Sequence, residues 1–499
     1  MAFFLLFGVR YFLVLLLCGN AFAFSLLGPA EPWQTRELGY NVSGMEVGAP
    51  KNIGEEYRWN IPVITYGFDR SFVDYFGAPG IRAVDDAVRI LNEVPRADQI
   101  TLTNYTFDSR RVNYPALDLD LVDLKSTTLS LLLRQYGLAP AESSVWMLRG
   151  REVLTNGSGG AVTNYLVVTR NFDPTSYGPS AYVNVGRYTY EIFEWGNPPI
   201  AAAVDFPADP NSSLYGFSSV SYFTEHGDAF MPYRATYLTG FTGDDVGGIR
   251  YLLNEGNVNH EPLPSGVRAA STNALVAEAL RPGRGKLTWE KITEAWQTQS
   301  GWNKTVRFTD SYYDDGVLKS QEVERTMTRP DIVFSAADLG LVTNSINPVP
   351  YKMTGPKFRR SSVLADAAGP GIMEPGIEIV FGMLGKTMAN VAPQNTEQSG
   401  IRLARWGSFD HTTNAPVAYP VITFGAPTVE VALTGSTAGA QSVQWTVRGV
   451  AEQRVRIQVS GDLANWAELE TVTLTNGTHR FSTANNADNS RFLRVVRVQ

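Results

Sequence analysis

The residues able to do acid–base or metal chemistry are few and scattered. The four histidines, His226, His260, His411 and His479, lie far apart and share no metal-ligand spacing. Glu225-His226 with Asp228 is the one cluster that could serve a hydrolytic site; a polar surface loop is the preferred reading, because unaligned histidine and acid pairs are common. Asp118 and Asp120 have a spacing that suits calcium, and it suits equally the solvent side of a strand. No Gly-x-Ser-x-Gly elbow, phosphate loop or dinucleotide fingerprint is present. One stretch stands apart: in Asp123 to Pro140, DLKSTTLSLLLRQYGLAP, the polar residues Ser126, Ser130 and Arg134 recur at every fourth position and so stack on one helix face.

The elements around that stretch follow from periodicity and punctuation. Asp123 is an N-cap, Ser126 to Tyr136 is helical, and Gly137 ends the helix in the left-handed conformation. Leucines cover most of its circumference, which predicts a buried helix. Upstream, Pro62 to Tyr66 reads as a strand. Ile81, Val84, Val88 and Leu91 form an amphipathic helix bounded by Pro79-Gly80 and Pro95. Ile100 to Tyr105 and Val112 to Leu121 read as strands, the second on its alternation of leucine and aspartate. Residues 145 to 195 are mostly strand and turn, and Asp244 to Leu253 is a short helix. Beyond 255, helices are expected at Ser271 to Ala279 and Trp289 to Gln297. Strands are expected at Thr305 to Phe308, Glu322 to Thr328, Ile332 to Phe334 and Ile377 to Phe381. Alternating Val455, Ile457 and Val459, an Asn476-Gly477 hairpin turn and a closing strand at Phe492 to Val498 predict a terminal β-sandwich.

Three segments, taken together and in this order, resemble the metzincin superfamily of zinc proteases, and its matrixin-like branch most of all. WNIPVITYGFD with its following helix resembles that family's first strand and helix. DLKSTTLSLLLRQYGLAP resembles the zinc helix, and MPYRATYLTGFTGDDVGGIRYLL, with Met231, Pro232 and Tyr233, the Met-turn and last helix. The family's motif is His-Glu-x-x-His-x-x-Gly-x-x-His, in which imidazoles one turn apart share the metal and the glutamate is the base. Aligned on Gly137, those positions hold Ser130, Leu131, Arg134 and Pro140. Arg134 stays protonated and cannot ligate a cation, Leu131 cannot take a proton from water, and Pro140 has no side-chain donor. The resemblance therefore implies a scaffold without the chemistry. It also suggests that the Arg134 guanidinium fills the metal's space beside Asp118, Asp120 or Glu142, or else sits favourably at the helix C-terminus. The last 80 residues resemble the β-sandwich modules of bacterial secreted and surface proteins.

The expected fold class is α+β: a metzincin-like mixed sheet with a buried central helix, a β-rich elaboration and a C-terminal immunoglobulin-like β-sandwich. Its expected segments are a signal peptide (1–23), an extended arm (24–54), a metzincin-like domain (55–255), an irregular β-rich region (256–419) and the sandwich (420–499). The apolar run behind Arg10 ends in Ala21-Phe22-Ala23, a small-x-small cleavage site, and stops short of the roughly 20 residues that a membrane span requires. Cys18, the only cysteine, lies in that leader. A lipoprotein reading is disfavoured because Leu17 stands where a small residue is wanted, so the mature chain would carry no disulfide or thiol. A formal charge of -7 with no long basic run argues against a nucleic-acid partner. The expectation is a secreted, periplasmic or cell-surface protein, non-catalytic, with no metal or cofactor, binding a peptide, a protein or surface material. A hydrolase with an unrecognised site and a structural envelope or matrix component are the alternatives.

Overall fold

The computed structural model describes residues 22–497 apart from 41–47, 120, 156, 158, 210–215, 223–234, 294, 338, 340–350, 355–356, 365–368, 384–404, 410–415, 420–429, 436–441, 449–453, 462–464, 476–477 and 485–491. The chain is mixed α/β, rich in strands distributed over several sheets. It divides into two units, Met1–Val421 and Ile422–Gln499.

In the first unit, the β-branched and aromatic run Val63–Phe68 forms a strand with Ile64, Tyr66 and Phe68 buried. It pairs in parallel with Thr288–Lys291 on one side and Ile332–Ala337 on the other. The sheet continues through parallel Ile377–Gly382 to antiparallel Tyr351–Thr354. Inner parallel strands are covered on both faces, which is why Val63–Phe68, Ile332–Ala337 and Ile377–Gly382 are largely apolar runs, whereas Thr288–Lys291 at the edge is mostly polar and exposed. Residues on both sides of position 255 thus share one sheet and one core. Trp289, expected in a helix, lies in a strand opposite Ile64, and only Ala295–Thr298 is helical nearby. The expected helix at Ser271 to Ala279 is also absent; Glu278–Arg281 is a strand instead.

Two helices pack on this core. Arg70–Glu93 is broken at Gly77 (φ 59°, ψ -161°), and Pro79 stands in the first turn of its second segment, where an N–H has no intrahelical partner. Its end at Val94 precedes Pro95, as the restriction on residues before proline requires. Leu124–Tyr136 is capped by Asp123, which accepts from the Ser126 N–H at 3.0 Å, and ends at Gly137 with φ 104°. Every one of its residues is buried. Just ahead of it, Tyr114–Asp118 is a short helix rather than the expected strand. Asn113 caps it, and Pro115 sits at its start, so local capping overrides the leucine alternation. Around Ile100 to Tyr105 a 3-10 turn at Leu102–Asn104 replaces the other expected strand.

The segment expected to be an arm begins as a wholly buried strand, Phe24–Gly28, because FSLLG offers almost nothing for water to solvate. It pairs with Ala49–Lys51, Leu138–Ala139 and Asn171–Phe172. In the second unit, two antiparallel three-stranded sheets meet on Val447, Val455, Ile457 and Leu474. The strands flanking Asn476-Gly477 belong to different sheets, so that stretch joins sheets instead of closing a hairpin; the two residues themselves lie outside the described ones. No helix among the described residues is long and apolar enough to cross a membrane.

Candidate functional site

The two serines of the buried helix's polar stripe are bonded to backbone of neighbouring segments. Ser126 Oγ donates to Asp123 Oδ2 at 2.5 Å and accepts from the Leu238 N–H at 2.7 Å. Ser130 Oγ donates to the Val220 carbonyl at 2.8 Å, and Thr127 and Thr128 bond back to the carbonyls of Asp123 and Leu124. These hydroxyls are consumed in fastening the helix to its neighbours. Leu131 is fully buried. Gly137 has Tyr57 backbone so close that an added Cβ would lie 2.3 Å from its carbonyl oxygen, and Pro140, half-buried, precedes the turn Ala141–Ser143.

Arg134 is 6% exposed, and among the described residues its Nε has no hydrogen-bond partner. Among the described residues no acid pairs with it: Asp118 is exposed, and Glu142 is engaged by serines. Asp120 lies outside the described residues, as do Glu225, His226, Asp228, His411, Met231, Pro232 and Tyr233. Among the described residues no three His, Cys, Asp or Glu side chains are grouped as a metal site needs.

The structure gathers instead a set of buried carboxylates that periodicity does not reveal: Glu142, Asp205, Asp244 and Asp245. Each receives several donors. Glu142 accepts from the Ser218 N–H at 2.5 Å, the Ser218 hydroxyl at 3.0 Å and the Ser221 hydroxyl. Asp245 accepts from the N–H groups of Thr242 at 2.7 Å and Ser219 at 3.0 Å, completing a capping box on Gly243–Leu253. Asp244 takes the N–H of Ala23 at 2.7 Å and of Asn184 at 2.6 Å, and Asp205 those of Val145 and Trp146 at 3.0 and 2.9 Å. Loss of hydration nevertheless dominates. Burial pushes Glu142 up to about 8 and holds Asp244 and Asp205 well above the usual carboxylate range, with Asp245 raised as well. No described lysine, arginine or histidine pairs with any of the four. The available signal was Asp244-Asp245 opening a helix beside a serine-rich Phe217 to Ser221, which reads in sequence only as a helix start.

Exposed apolar surface concentrates elsewhere, on two long hairpins. Trp146–Thr155 pairs with Ala161–Thr169, and Gly186–Trp195 with Ile200–Pro207. Leu154 opposes Val162, and Val162 and Leu166 share a face by strand alternation; Leu166 is 59% and Val162 51% exposed. Tyr190, Phe193 and Trp195 are exposed on the second hairpin, and Arg151 and Glu194 form an ion pair across the two. Among the described residues the second edge of Ala161–Thr169 has no strand partner. Compared with known protein families, with curated proteins and with solved structures, the chain matches none.

Proposed function

We propose that this is a secreted, non-catalytic binding protein, with a metzincin-like scaffold lacking zinc ligands, that captures an extended polypeptide along the Ala161–Thr169 edge. The observation that supports it best is the coincidence there of a strand edge that has no strand partner among the described residues with the exposed Leu154, Val162 and Leu166 face. An open edge offers backbone donors and acceptors to an incoming strand, and alternate apolar side chains supply affinity for its residues. The non-catalytic part draws support from the buried helix, whose serines are spent on Val220 and Leu238.

Panning a random-peptide phage library on the purified full chain tests the reading. The expected outcome is enrichment of alternating β-branched and aromatic sequences whose binding is lost in Val162→Lys and Leu166→Lys, since an edge lysine blocks strand addition. Both positions are exposed, so the melting temperature should not move. No enrichment over background, or equal binding by the lysine variants, would defeat it.

A further inference from the structure

Among the described residues the buried carboxylates have no basic partner, and the chain's own N-terminal region is threaded against them. Ala23 is fully buried, and its backbone N–H donates to Asp244 Oδ1 at 2.7 Å. Phe24 and Ser25, the first residues of the buried strand, line a small pocket together with Ser218, Asp244 and Asp245. Asp244 meets the field of Asp245 and Glu142, Glu142 that of Asp245, and Asp205 that of Glu142. A buried carboxylate cluster is costly unless a positive charge reaches it. The expected leader cleavage would place such a charge at this spot.

We propose that hydrolysis of the Ala23–Phe24 bond makes Phe24 a buried N-terminus whose α-ammonium pairs with Asp244, so that removal of the leader completes the first unit. This rests on the secreted reading of the chain. A leader-removing protease adds water across the bond: hydroxide goes to the Ala23 carbonyl carbon, the C–N bond breaks, and the freed amine takes the remaining proton of the water and the proton that the new Ala23 carboxyl releases, leaving a carboxylate and –NH3+. Successive residues are about 3.8 Å apart, so the new ammonium starts within one residue's step of the position the Ala23 nitrogen occupies. There the N–H of a neutral amide is replaced by a full charge, and Asp244 has reason to ionise.

The two halves of the proposal are tested apart. N-terminal sequencing of the full chain exported from cells is expected to begin at Phe24; a retained leader or another first residue would overturn the processing site. For the pairing, the full mature chain is made with a tag joined to Phe24 through a protease site that leaves no residue behind. Tag removal is expected to raise the melting temperature by about 2–4 °C in the wild-type chain and to leave Asp244→Asn unmoved. An equal rise in both, or none in the wild type, would overturn it. Should Asp244→Asn not fold, reductive methylation of the untagged wild-type chain gives the readout. The Phe24 amine is expected to react several-fold more slowly in the folded chain than in urea, and equal rates would defeat the pairing.

Discussion

Glu142 and Arg134 show how far burial alone sets the behaviour of a side chain here. Glu142 titrates near 8 in the folded chain against an ordinary value of 4.5, so between those limits the folded state holds a proton that the unfolded state has released. Stability from this group therefore falls as pH rises from about 5 to about 8 and then levels off. The substitution Glu142→Gln would keep an acceptor for Ser218 and offer a donor to Ser221 while removing the titration. Urea midpoints of both chains at the two ends of that window should show a smaller drop in Glu142→Gln; identical drops would exclude Glu142 as the source. Arg134 presents the converse case, a buried cation whose Nε has no partner among the described residues. Arg134→Met removes that orphaned donor, and a buried unsatisfied donor costs about 1–3 kcal/mol, so the substitution should raise stability by about 1–2 kcal/mol in denaturant titration. A loss of comparable size would mean that the guanidinium has a partner.

At the scale of elements, what was legible in the sequence was what local chemistry decides. Asp123 and Gly137 bound the buried helix because a side-chain acceptor and a left-handed residue act within one turn of their positions. Pro79-Gly80, read as the start of a helix, instead lies inside Arg70–Glu93 just after its break at Gly77, because proline fits the first turn of the second segment. Pairing partners were not legible. Thr288–Lys291 is a strand because Val63–Phe68 lies beside it, more than two hundred residues earlier, and nothing in TWEK itself requires that. The carboxylate cluster was hidden for the same reason, since Glu142, Asp205 and Asp244 meet only after folding. Long-range charge contacts also fasten the elements. Arg58 Nε donates to Glu261 at 2.7 Å, and Arg281 pairs with Asp310 at 3.0 Å, all four fully buried or nearly so. Burial keeps Glu261 raised despite Arg58, and among the described residues its Oε2 has no partner. Removing one member leaves the other charge stranded. Glu261→Ala should therefore cost about 3–5 kcal/mol, and Glu261→Gln clearly less, in the same denaturant titration. Equal, small losses would show that the pair holds little.

For the whole molecule, the question is where the chain can be cut. One core runs from Phe24 through Ile64, Leu129, Ile332 and Phe381 to Tyr419, so residues on both sides of 255 bury one another. A fragment ending at 255 would expose the Val63–Phe68 strand on both edges and strip its sheet of Trp289, Ile332, Phe334 and Ile377. Each buried apolar side chain of this size contributes about 1.5–3 kcal/mol on burial, and total stability is only about 5–15 kcal/mol. Losing four removes about 6–12 kcal/mol, most of that margin or all of it. Cutting at 421 instead separates the two units and leaves both cores whole. A chain of residues 24–421 is accordingly expected to melt cooperatively and resist limited proteolysis, while residues 24–255 lack a melting transition and are digested rapidly. Cooperative melting of the 24–255 fragment would restore position 255 as a domain boundary and show that the parallel strands beyond it are an addition to a core already complete.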